Sequence, residues 1–315
     1  MKAPLVILTG PTAAGKTKLS VALAKAIDGE IISADSMQVY RHMDIGSAKI
    51  RPEEMEGIPH HLIDILEPEE EFNVVRFQTL AKEAAAQIYE RNRIPIVAGG
   101  TGFYIQALLY DIDFTENEEH PKIRSELEEL AKEKGVEFLH QMLREADPKG
   151  AKQIHANNVK RVIRALEYYR LTGERMSEHN EAQQKKESPY NGAYFVLNDE
   201  REHLYQRIDA RVDTMLEEGL LEEVKALKAM GLSRGMVSMQ GLGYKELLSY
   251  LEGELSFSEA VRILKRDTRH FAKRQLTWFR RERDVIWLNQ PDFQYDQERI
   301  LERILEVLKQ KGIYG

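Results

Sequence analysis

Apolar residues fall into two rhythms over the first hundred positions. Leu5, Val6, Ile7 and Leu8 form an unbroken run that stops at Thr9-Gly10-Pro11, as in a strand buried on both faces. Leu19, Val21, Leu23 and Ile27 then follow at helical spacing across residues 18–27. The same punctuation predicts a second strand at 30–33, ending in Ala34-Asp35-Ser36, a helix over 74–91, and a third strand at 94–98, ending in Gly99-Gly100-Thr101-Gly102. Short buried strands alternating with helices predict an α/β fold: a parallel sheet with right-handed crossovers, whose ligands bind beyond the carboxyl ends of the strands. The three loops therefore converge on one edge.

The texture changes from about residue 115. Residues 116–144 are charged and helical, 151–171 are helical with a basic bias, and 177–188 are polar, before an apolar strand-like run at 194–197. The expected organisation is a sheet core formed by 1–114 and 194–315, with an all-helical domain inserted at 115–193. The remainder reads as helical, with candidate helices at 201–217, 220–230, 244–251 and 258–280.

Composition narrows the function classes. The 315 residues carry 45 Lys+Arg against 52 Asp+Glu, a net charge of -7, which excludes a globally basic nucleic-acid coat. The chain has no cysteine, so disulfides, thiolate metal sites and cysteine nucleophiles are excluded together. The short apolar stretch after Met1 ends in Gly-Pro and no run is long enough to span a bilayer, so a soluble, cytoplasmic protein is expected. Charge is uneven, however. Residues 262–283 hold nine Lys or Arg against Asp267 and Glu282, a local net of +7. On a helix Arg262, Arg266, Arg269, Lys273 and Arg280 share one arc, opposite Leu264, Phe271 and Trp278. With a looser set at Lys149, Lys152, Lys160, Arg161, Arg164 and Arg170, this points to a nucleic acid held by its backbone.

Gly10-Pro11-Thr12-Ala13-Ala14-Gly15-Lys16-Thr17 matches the phosphate-loop pattern G-x-x-x-x-G-K-[ST] between a strand and a helix. Backbone N–H groups and the helix N-terminus attract an anion, Lys16 reaches a terminal phosphate, and Thr17 can ligate Mg2+. ATP, GTP and an organic diphosphate are all compatible with such a loop. Asp35 either caps the following turn or acts in chemistry, as a general base or as a water-mediated Mg2+ ligand. The adjacent His60 and His61 read as loop packing. Where many kinases of this architecture carry an acidic Mg2+ ligand, the third strand ends in glycines and Thr101. Those glycines serve a tight turn or let a ligand approach the backbone. A small-molecule or nucleoside kinase and a non-catalytic nucleotide switch both fit these features.

Taken together, the motifs resemble one family, the tRNA dimethylallyltransferases, or tRNA isopentenyltransferases, of bacterial type. The similarity is carried by GPTAAGKT at 10–17, DSMQVYRHMDIGSAK at 35–49, AGGTGFY at 98–104, RALEYYRLTG at 164–173, SMQGLGYKE at 238–246 and AKRQLTWFR at 272–280. The family's usual Thr and Pro are replaced by Ser47 and Ile50. The resemblance implies a P-loop NTPase-like core and transfer of a dimethylallyl group from its diphosphate to N6 of the adenosine 3′ of the anticodon, position 37 of tRNA. The phosphate loop and Mg2+ at Thr17 would hold the leaving diphosphate, Asp35 would accept the amine proton, and Thr101 would orient substrate. An arginine of 201–217 would reach diphosphate, with Arg211 preferred to Arg207. Asp35, Ser36, Met37, Gln38, Thr101, Arg124, Lys160, Arg161 and Arg164, together with Gln240, Gly241, Leu242, Gly243, Tyr244 and Lys245, would touch the anticodon stem-loop, the helical insertion acting as a clamp. A monomer without an obligate protein partner is expected.

Overall fold

A computed structural model describes residues 2–114 and 121–315, which form two compact units: one comprises residues up to Leu109 together with Ser188–Gly315, the other Tyr110–Glu187. The first unit opens with β1 (Ala3–Thr9), α1 (Lys16–Ile27), β2 (Gly29–Ala34), the single turn α2 (Pro52–Met55), the two-residue β3 (His60–His61), α3 (Val74–Glu90), β4 (Ile94–Gly99) and α4 (Gly102–Leu109). The second holds α5 (Pro121–Lys134), α6 (Val136–Ala146), α7 (Pro148–Gln153), α8 (Val159–Thr172) and α9 (Met176–Gln184). The chain returns to the first with β5 (Tyr190–Asn198), α10 (Arg201–Glu217), α11 (Leu220–Ala229), α12 (Tyr244–Leu251), α13 (Phe257–Phe279), β6 (Val285–Asn289) and α14 (Gln297–Gln310).

All six strands are parallel, in the order β3-β2-β4-β1-β5-β6. The expected α/β architecture is therefore present. Val6 and Leu8 pack with Leu19, Leu23 and Ile27 of α1 and Ile300 and Ile304 of α14; by strand alternation Leu5 and Ile7 face the other side, which α3 covers. Because β4 lies between β1 and β2, the third loop stands between the phosphate loop and Asp35.

Several local expectations change. His60 and His61 form an edge strand rather than a loop, pairing with Ile31 and Ile32. The helix expected over 116–144 is two helices broken at Gly135, whose φ of +83° ends α5, and its first residues, 116–120, lie outside those described. The helix expected over 151–171 is interrupted at 154–158, where Ile154 is extended and Asn158 precedes the first turn of α8. The polar stretch 177–188 contains most of α9, because Ser177 is drawn inward: its N–H and hydroxyl donate to the buried Asp147 at 2.9 and 2.6 Å. β5 begins at Tyr190, four residues before the apolar run, and β6 lies in a region read as helical. No helix among the described residues is long and apolar enough to cross a membrane.

Candidate active site

The phosphate loop joins β1 to α1. Gly15 sits at φ +87° immediately before the helix, a conformation that glycine adopts without strain, while Ala13 tolerates φ +63°. Ala14 N–H donates to Pro11 O at 3.2 Å, curling the backbone into a nest. Lys16 Nζ folds over it, donating to Gly10 O at 2.9 Å and Pro11 O at 2.8 Å, and Thr17 is exposed. Burial, with the Arg211 charge adding to it, pulls the Lys16 ammonium down to about 8, against a raising influence from Asp35.

Beside the loop opens a cavity of about 500 Å3. Its lining brings together Thr12, Lys16 and Thr17 of the loop, Asp35, Ser36, Met37 and Gln38 after β2, Thr101 after β4, Arg211 of α10, and Gln240, Gly241, Leu242, Gly243 and Lys245 before and at the start of α12. Gly10, Pro11, Ala13, Ala14 and Gly15 shape the loop without lining the cavity. Asp35 caps the turn and at the same time lines the cavity. Its Oδ1 accepts from Met37 N at 2.8 Å and Gln38 N at 3.4 Å, capping the turn, while Oδ2 has no hydrogen-bond partner among the described residues. Thr101 N donates to Ala34 O at 3.1 Å, tying the third loop to the residue before Asp35. The Gln38 amide is engaged within the protein, accepting from Ser33 Oγ at 3.0 Å and donating to Ser47 O at 3.4 Å and Ala48 O at 3.3 Å.

Arg211 is pushed below its ordinary value, first by burial, with Asp35 opposing that shift and Arg207 adding to it. Arg207 itself does not line the cavity; it is held 3.5 Å from Gln290 and 3.8 Å from Asp199. Tyr244, expected among the RNA contacts, is fully buried and donates its hydroxyl to Glu223 at 2.8 Å. Its ring supports the neighbouring turn from inside and presents no surface. Arg124, Lys160, Arg161 and Arg164 belong to the helical unit. There the buried Glu167 carboxylate pairs with Arg124 at 3.2 Å and Arg164 at 3.3 Å, whereas Lys160 and Arg161 are exposed.

The cationic arc of α13 is partly neutralised. Arg262 pairs with Glu259, Arg266 with Asp267 and Arg269 with Asp209; Lys273, also of the arc, lines a shallow cavity together with Arg274, Trp278 and Arg281. The glycines of the third loop are packed closely by protein: a methyl group at Gly99 would strike the Ala34 backbone, at Gly100 the Gln275 amide, and at Gly102 the Trp278 ring, while Gly99 and Gly100 also line the cavity.

Two site residues escaped the sequence reading. Gln275 is buried on the face of α13 that carries Leu264 and Trp278; it accepts from Thr12 N and donates to Gly100 O, both at 2.9 Å. A lone amide on an apolar helix face was the available signal. Glu223 of α11 accepts from three consecutive backbone N–H groups, those of Asp44, Ile45 and Gly46, and nothing in the spacing of α11 marks it.

A phosphate loop on an inner parallel strand, with a carboxylate, a hydroxyl and an arginine converging beside it, gives a P-loop-like α/β fold whose pocket suits a phosphorylated ligand. The sequence model described as IPP transferase matches residues 38–282, and that described as isopentenyl transferase matches residues 3–67. The chain belongs to the IPP transferase family. It is 63% identical over 310 residues to the tRNA dimethylallyltransferase of Lachnoclostridium phytofermentans, covering 98% of this chain and 99% of that one. The full-length tRNA isopentenylpyrophosphate transferase of Bacillus halodurans is 46% identical, with a TM-score of 0.74 and coverage of 99% and 98% of the two chains. A eukaryotic dimethylallyltransferase acting on tRNA matches at 32% identity and a TM-score of 0.79, over 91% of this chain and 74% of that one.

Proposed function

We propose that this protein transfers a dimethylallyl group from dimethylallyl diphosphate to tRNA, at the exocyclic N6 of the adenosine 3′ of the anticodon. Transfer to tRNA is the activity named for its relatives at 63% and 51% identity. The observation that carries the chemistry is the presence of Lys16, Thr17, Arg211 and the half-engaged Asp35 carboxylate around one cavity. The allylic C–O bond breaks, its electron pair leaving with diphosphate. The N6 lone pair forms the new C–N bond, and the N6 proton passes to Asp35. Loop N–H groups, Lys16 and Arg211 stabilise the charge that develops on the leaving group. Asp35 Oδ1 is fixed by two N–H donors, which aims Oδ2 for proton transfer.

The exposed Thr17 hydroxyl beside an anion-binding loop suits Mg2+, whose remaining ligands would be diphosphate oxygens and water; no cluster of three acidic or histidine side chains is found among the described residues. Mg2+ would supply charge neutralisation of the diphosphate. The target base must leave its stack to enter the cavity, and exposed cations such as Lys160, Arg161 and Lys273 suit the phosphates of an anticodon stem-loop. Cytoplasmic residence and a monomeric state complete the proposal. A kinase would share the loop and Asp35, but the relatives carry prenyl transfer instead. Nucleoside analysis of anticodon stem-loops incubated with protein, Mg2+ and dimethylallyl diphosphate tests the assignment. N6-prenylated adenosine is expected from a loop with adenosine 3′ of the anticodon and none when guanosine stands there; prenylation of both would refute the assigned acceptor atom.

A further inference from the structure

The wall of the cavity between Met37 and Lys245 is built from two segments that touch each other through their glycines. A methyl group at Gly46 would lie 2.5 Å from the Tyr244 ring, and one at Gly241 would lie 2.6 Å from Met37 Cε. The two segments are thus interlocked at van der Waals distance. Glu223 joins them. Its Oε2 accepts from Asp44 N at 2.9 Å and Ile45 N at 2.7 Å, and its Oε1 from Gly46 N at 3.0 Å and Tyr244 Oη at 2.8 Å. Four donors converge on one carboxylate, a filled anion nest of the kind that successive backbone N–H groups form. Gly46, Ser47 and Ala48 line the cavity, and the carbonyls of Ser47 and Ala48 hold the Gln38 amide, whose own backbone N–H is bound by Asp35. Hydrogen bonds at either end of the short backbone segment 46–48 therefore connect Glu223 through Gln38 to Asp35.

We infer that Glu223 is a positioning residue for the acceptor: by latching residues 44–46 to Tyr244 it fixes the two walls between which the adenine passes and sets the aim of Asp35. The inference rests on the transfer reading given above. The lysine and arginine that face diphosphate lie outside this set of bonds, so the donor side is independent of the latch. Glutamine in place of Glu223 offers a single carbonyl and an NH2 group to four donors, so at least two of them lose their acceptor, while size and shape are retained.

The test measures single-turnover transfer to tRNA and dimethylallyl diphosphate binding for wild type, Glu223→Gln and Tyr244→Phe. For Glu223→Gln the transfer rate is expected to fall about tenfold or more, the scale of misplacing a reacting group by a fraction of an ångström, with diphosphate affinity within about twofold of wild type. The pH profile of the residual activity is expected to stay that of wild type, since the base is unchanged. Tyr244→Phe removes one of the four bonds and is expected to show a smaller loss in the same step, non-additive with Glu223→Gln. An unchanged transfer rate in Glu223→Gln, or a parallel loss of diphosphate binding, overturns the inference; should that variant not fold, an unchanged rate in Tyr244→Phe overturns it. Absence of prenylated product from wild type removes the transfer reading and this inference with it.

Discussion

Thr12 donates its backbone N–H to the side-chain carbonyl of Gln275, 263 positions later in the chain, at 2.9 Å. The same amide donates to Gly100 O at 2.9 Å, so one side chain of α13 holds the phosphate loop and the third loop in register. Replacing Gln275 by Leu leaves the half-buried Thr12 N–H and the buried Gly100 carbonyl without partners, at a cost of about 1–3 kcal/mol each at most. The variant is expected to melt earlier and to bind dimethylallyl diphosphate at least about fivefold more weakly; calorimetric titration at wild-type affinity would contradict this.

The depressed Lys16 predicts two opposite pH dependences. Its amine holds its proton below about 8 in the folded protein and below 10.5 when unfolded. Between those values the unfolded chain binds more protons, so the stability of the ligand-free protein rises with pH across that window. Diphosphate binding requires the ammonium form, and affinity is expected to fall by up to about tenfold per pH unit above 8. Titrations and melts from pH 7 to 10 measure both. Affinity that stays flat to pH 10 would contradict the assignment of Lys16 to the anion.

Glu30, buried on β2, is held down to about 2 by the Arg91 guanidinium, with His61 and Arg93 adding to it against the cost of burial. Its contribution is complete above the ordinary glutamate value of 4.5 and is lost as pH falls from there towards 2. Glu30→Gln should cost about 1–3 kcal/mol at pH 7 and progressively less on acidification. Denaturant melts at pH 7 and pH 3 make the comparison, and an equal penalty at both would show that the ion pairing contributes nothing.

Much of this architecture is legible in the residues because it depends on local signals. The run Leu5–Leu8, the phosphate loop and the helical spacing after it lie within thirty residues, and each is dictated by burial or by backbone geometry. β6 was not legible: five residues after the cationic stretch 280–283 become a strand only because β5 offers an open edge to pair with. The order of β4 between β1 and β2 depends likewise on pairing across the sheet. At the site, Asp35 and Lys16 announce themselves through motif and position, whereas Gln275 and Glu223 act through backbone groups more than 170 residues away. Tyr244 shows the converse, a motif residue whose ring is used in packing.

The most direct test of the account is the step assigned to Asp35. Asp35→Asn keeps an oxygen to cap Met37 and Gln38 but removes the proton acceptor. Single-turnover prenyl transfer to tRNA is expected to fall by about 10²- to 10⁴-fold, with the dissociation constants for dimethylallyl diphosphate and tRNA nearly unchanged. Transfer by Asp35→Asn at the wild-type rate would contradict the central claim.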